Sequence, residues 1–149
     1  MASSYPIQST TSTAAATTEH QAILTTHTTL KYLLAIVPIV AGADKFTNIL
    51  AQWEVYLNPM FLSIVPVSAA TFMRLVGVIE IVAGVLVFLR PRLGAFVVMA
   101  WLLAIAGQLL VWGRFLDIAV RDIVIAVGSA LTLARLTIFV ERSKEDTGS

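Results

Sequence analysis

Residues 69–112 read AATFMRLVGVIEIVAGVLVFLRPRLGAFVVMAWLLAIAGQLLVW, and this stretch decides the fold. Two apolar runs flank Arg90-Pro91-Arg92. At 1.5 Å per residue, each is long enough to cross a hydrocarbon core about 30 Å thick. A link of about three residues forces the two helices into an antiparallel hairpin. Ser68 stands where an N-cap belongs, predicting a helix over 69–89. The second helix is expected over 93–112, ended by Gly113.

Working outward, the same length and hydropathy recur twice. Residues 29–50 form a first span with Pro38 inside it, a residue expected to bend the helix. Residues 118–140 form a fourth, with Asp117 as the expected N-cap. Between the first two spans, residues 57–67 are apolar but too short to cross and are broken by Pro59 and Pro66, so an interfacial piece is expected there. The predicted fold is therefore all-α: an antiparallel, integral membrane four-helix bundle with an interfacial segment between helices 1 and 2. Residues 1–28, rich in Ser, Thr and Ala, read as a flexible tail without the basic and apolar regions of a signal peptide. The transmembrane domain covers 29–140, and 141–149 is a polar C-terminal tail.

Composition agrees with this class. The 149 residues are 58% hydrophobic and only 13% charged, whereas a soluble domain carries about 25% charge. Formal net charge is +1, which supplies no basic face for nucleic acid. There is no cysteine, so disulfides, thiol nucleophiles and iron–sulfur ligation are excluded. The two histidines, His20 and His27, precede the first apolar run, so no span offers a paired-histidine haem site, and no metal site is expected.

Lysine and arginine set the expected orientation. With four spans, both termini and the Arg90/Arg92 turn share one side, which collects Lys31, Arg90, Arg92, Arg135, Arg142 and Lys144. The opposite side carries Arg114 in its connecting loop, plus Lys45, Arg74 and Arg121 at or inside span ends. The positive-inside bias places the first side in the cytoplasm and Trp53, Tyr56 and Trp112 at the outer interface.

That orientation brings polar residues from all four spans to one level. Asp44 and Lys45 close the first span, Arg74 opens the second, Gln108 lies near the end of the third, and Arg121 and Asp122 open the fourth. Glu80 lies deeper, about 16 Å along its helix. A charge at membrane depth costs about 2.5–3.5 kcal/mol on insertion scales, so such residues need partners or a function. These seven are the candidate ligand-binding residues; the charged ones are expected to form one connected cluster, with at least one arginine from span two or four within salt-bridge distance of a carboxylate. Three cations face three anions, a balance that fits either a structural ion-pair network or a polar cavity open to the outer face. Gly77 and Gly84 flank Glu80 on nearly the same face and are expected to let another helix approach closely. Trp101 and Met99 read as core filling, and Ser129 and Thr132 as interhelical hydrogen bonders.

The stretches AGADKF (41–46), RLVGVIEIVAGVLVFL (74–89) and RDI (121–123) together resemble the DoxX-like family of small four-helix membrane proteins. The family pattern of Gly-x-x-Lys-Phe ending helix one corresponds to Gly42, Lys45 and Phe46. Its Arg-x-x-Gly-x-x-Glu-x-x-x-Gly element corresponds to Arg74, Gly77, Glu80 and Gly84, and its arginine opening helix four to Arg121. The resemblance covers about residues 30–140. It implies a subunit of a prokaryotic cytoplasmic membrane associated with an oxidoreductase system, with membrane or peripheral redox proteins as partners. It also implies a quinone or other small molecule as ligand and no covalent cofactor. With no redox centre or nucleophile of its own, the chain would contact a quinone through polar groups, Arg74 or Arg121 bonding a carbonyl and Glu80 or Asp122 relaying a proton, while another subunit supplies electrons. The alternative is a non-catalytic scaffold or assembly factor whose buried charges are purely structural.

Overall fold

The computed structural model describes the backbone of residues 8–147, with side chains from Ala16 to Ser143 and at Glu145. Its helices are α1 (Gln8–Asp44), α2 (Pro59–Ile64), α3 (Ala69–Leu89), α4 (Pro91–Trp112), α5 (Leu116–Ile125) and α6 (Leu131–Thr147). A short 3₁₀ turn, Trp53–Tyr56, precedes α2, and a π-helical segment, Ala126–Ala130, joins α5 to α6. Four stretches are long and apolar enough to cross a membrane: Ala16–Asp44, Ala69–Leu89, Pro91–Trp112 and Leu116–Ser143. The protein is an all-α, multi-pass membrane bundle.

The hairpin forms where the sequence predicts it, and is tighter. Ser68 caps α3 by accepting the Thr71 amide at 3.2 Å. Arg90 alone separates α3 from α4, because Pro91 occupies the first turn of α4, where its missing N–H costs nothing. At the other end Gly113 takes φ +70°, and its amide bonds the carbonyls of Leu109 and Leu110.

Three expectations are corrected. Helix α1 does not begin near residue 29 but runs back to Gln8, through most of the segment expected to be a flexible tail. Ala14, Ala15 and Ala16 are strong helix formers, and extending a formed helix avoids the cost of nucleation. Residues 1–7 of that tail and 148–149 of the C-terminal one lie outside the described residues. Helix α1 also stops at Asp44 rather than near residue 50, because the Asp44 carboxylate captures the following amides and Asn48 turns the chain at φ +52°. Asp117 is not the N-cap of α5. That position belongs to Phe115, held at φ +55° while its ring packs on Tyr56 and Trp112.

The four spans close into a ring: α1 packs against α3 and α6, and α4 against α3, α5 and α6. On α3 the buried positions Met73, Gly77, Glu80, Gly84 and Val87 recur every three or four residues and make the inward stripe. The main core is built from small residues, Ala35, Ala83, Ala95, Ala130 and Ala134, wedged between Leu34, Val87, Val98 and Leu133. Large apolar side chains such as Val82, Leu89, Val111 and Val124 point outward, as a bilayer-facing surface requires.

His27 ties α1 to α6, its Nε2 lying 3.0 Å from Thr137 Oγ1. The Thr137 hydroxyl already donates to the Leu133 carbonyl, so it accepts from His27 and fixes Nε2 as the protonated nitrogen. Thr132 bonds the Gly128 carbonyl of its own span instead of a neighbouring helix. That bond ends inside the π segment, where the regular backbone ladder is interrupted.

Candidate functional site

The site is built on a close crossing of α1 and α3. A Cβ placed on Gly42 would lie 2.5 Å from the Gly77 carbonyl oxygen, and one on Gly77 would lie 2.5 Å from that of Gly42. A side chain at Gly84 would likewise strike the Ala35 carbonyl. Only glycine lets the two backbones touch in this way. The contact sets Lys45, three residues after Gly42, against Glu80, three after Gly77.

Lys45 Nζ lies 2.5 Å from Glu80 Oε2, with the two side chains 4% and 9% exposed. The ammonium also sits 3.6 Å from the centre of the Trp53 ring, a cation–π contact strengthened by the loss of water. The other carboxylate oxygen, Oε1, accepts from Trp101 Nε1 at 3.5 Å. Glu80 is therefore partnered on both oxygens, and its counter-ion is a lysine rather than an arginine.

Asp44 makes a second, adjoining knot. Its carboxylate accepts the amides of Ile49, Leu50 and Ala51, the Thr47 hydroxyl and the Trp53 indole N–H, the last at 2.8 Å. Trp53 therefore joins the two knots, its N–H on Asp44 and its face under Lys45. This arrangement reads chemically as an anchor that ends α1 and folds the following loop back on it.

The remaining candidates do not join them. Arg121 folds back on its neighbour Asp122, with two guanidinium nitrogens 3.1 and 3.0 Å from the same oxygen. Asp122 is buried, while the Arg121 side chain is 62% exposed. Arg74 is exposed and forms no ion pair among the described residues. Gln108 lies elsewhere again, its Nε2 donating to the Tyr56 carbonyl at 3.2 Å while its Oε1 is buried without a partner. The expected single cluster of charges is thus corrected to a linked triad, Asp44, Lys45 and Glu80, with Arg74 and Gln108 apart from it; the expected arginine–carboxylate pair is present, as Arg121–Asp122, but separately. Position along the helices was similar for six of the seven, with Glu80 deeper, but their directions around the helix axes differ.

Two cavities open on the outside of the bundle, of about 330 and 390 Å³. The first lies between Asn58, Phe61 and Ile64 on one side and Ala104, Gly107 and Gln108 on the other. The second runs along α1 beside Trp53. Neither is lined by Glu80 or by an arginine. Among the described residues, no group of three or more His, Asp or Glu side chains could hold a metal ion.

Trp53 and Trp101 are the members of the site that sequence reasoning missed. The signal was present, since an indole N–H in an apolar helix needs an acceptor and Glu80 is the one at matching depth on the adjacent span. Comparison with protein-family models, curated proteins and solved structures finds no match for this chain.

Proposed function

We propose that this protein is a DoxX-like subunit of a prokaryotic cytoplasmic membrane, with both termini cytoplasmic, that serves an oxidoreductase system as a non-catalytic scaffold or assembly partner. One observation carries the reading: the buried carboxylates Asp44, Glu80 and Asp122 are all already partnered. A general acid or proton relay needs a group free to exchange its proton with a bound molecule; Asp44 and Glu80 hold partners on both oxygens, and Asp122 is ion-paired through one. The DoxX-like assignment draws support from the residues that carry the resemblance. Gly42, Lys45, Gly77 and Glu80 touch one another across α1 and α3, so the two sequence elements have a shared structural reason to occur together.

A second reading, binding of a quinone or other small molecule, is favoured by the unpartnered side-chain oxygen of Gln108 beside an open apolar cavity, an acceptor that a hydroxyl of a reduced quinone would satisfy. Purification from native membranes in mild detergent, followed by mass spectrometry, separates the two. The scaffold reading expects a stoichiometric redox-protein partner and no quinone retained on the isolated chain. Stoichiometric quinone, together with a thermal stabilisation by a quinone analogue, overturns it.

A further inference from the structure

The cavity between α2 and α4 carries chemistry that neither the scaffold role nor the buried charges use. Asn58 is only 7% exposed, and its Oδ1 is taken by the Met60 amide as the N-cap of α2. Its Nδ2 forms no hydrogen bond among the described residues and is not among the fully buried unpartnered atoms, so this N–H group is open to a visitor in the space Asn58 lines. Gln108, in the same wall, has committed its Nε2 to Tyr56 and holds an unpartnered acceptor in Oε1. That oxygen is buried, and reaching it takes a movement of the amide. The room for this exists beside Gly107, where a Cβ would meet nothing within 4 Å.

The rest of the cavity is apolar, including Met60, Phe61, Ile64 and Val111, and no charged residue lines it. Met60, Ile64 and Val111 are also exposed on the outside of the bundle. The opening therefore has an apolar rim on the outside of the bundle, while its two polar atoms are one neutral donor and one neutral acceptor.

We propose that this groove binds a neutral membrane amphiphile with a hydroxyl head group. A hydroxyl both accepts and donates, so it is the neutral head group whose chemistry answers both an amide N–H, as at Asn58 Nδ2, and a carbonyl oxygen, as at Gln108 Oε1. A phosphate head would lose its hydration without gaining a cation, and an oxidised quinone offers acceptors only. The apolar tail lies over the side chains already exposed on the outside of the bundle. The site is independent of the scaffold role, since it shares no residue with Asp44, Lys45 or Glu80.

The test is native mass spectrometry of the full chain in detergent with dioleoylglycerol, its 3-acetyl derivative, dioleoyl phosphatidic acid and an oxidised quinone. One dioleoylglycerol per chain is expected, bound roughly tenfold more tightly than the acetylated form, the worth of about one hydrogen bond. Asn58→Asp keeps the helix cap but removes the donor, and should weaken binding by about the same factor. Gly107→Leu should fill the groove and abolish the adduct. Its fold is checked by circular dichroism, and Ala104→Leu serves as a second block if Gly107→Leu does not fold. Equal binding of all four molecules, an adduct that survives the block, or no adduct overturns the proposal. So does a dimer of the chain that the block abolishes, because a second copy then covers the groove. Loss of the redox partner in the purification above leaves this result untouched, so the two readings fail separately.

Discussion

Lys45 Nζ and Glu80 Oε2 meet at 2.5 Å across the α1–α3 crossing, with both side chains under one-tenth exposed. Removing one member leaves a buried charge without its partner, a change that typically costs about 3–5 kcal/mol. Glu80→Gln, Glu80→Leu and Lys45→Met should each unfold much earlier in a detergent thermal melt. The double variant Lys45→Met/Glu80→Leu should recover most of the loss, because no charge is then stranded. Single variants as stable as the parent chain would show that the pair does not hold the helices.

The glycines divide into two kinds. Gly42→Ala or Gly77→Ala pushes a methyl group onto a backbone oxygen that cannot move aside, and overpacking of this sort costs about 1–3 kcal/mol. Gly107→Ala meets nothing and should be neutral or stabilising by up to about 1 kcal/mol, from helix propensity alone. Melting temperatures of the three variants side by side check the contrast.

Asp44 should matter through its geometry rather than through a reaction. Asp44→Ala removes the acceptor of the Ile49, Leu50 and Ala51 amides and of the Trp53 indole. Hydrogen bonds to a charged group are worth about 1.5–3 kcal/mol, so a loss of about 3 kcal/mol is expected, with Trp53 fluorescence shifted to the red. Asp44→Asn keeps one acceptor oxygen and should lose less. If the alanine variant leaves both stability and fluorescence unchanged, the loop is held by something else.

Orientation is open to direct labelling because the native chain has no cysteine. A cysteine at Glu54, between the first two spans, should react with an impermeant maleimide in intact cells. One at Glu145 should react only after lysis. The reverse pattern would invert the proposed topology.

What the sequence determines on its own is one-dimensional. Hydropathy and length marked four spans, Ser68 and Gly113 marked helix ends, and Arg90-Pro91-Arg92 marked the hairpin, because each is a property of consecutive residues. Depth was legible for the same reason, since rise per residue is constant, and so were Gly77 and Gly84 as sites of close approach. Direction around each axis was not. Arg74 and Glu80 are six residues apart, about 120° around a helix, so burying one turns the other outward. It was the Gly42–Gly77 contact that chose Glu80 for the inside and supplied Lys45 as its partner. Arg121 and Asp122 are adjacent, about 100° apart, so only Asp122 points inward and its charge is answered locally. The end of α1 likewise waited on tertiary structure. Asp44 could stop the helix only once the loop had folded back and brought the Trp53 indole within reach of its carboxylate, a contact between residues that no helical period relates.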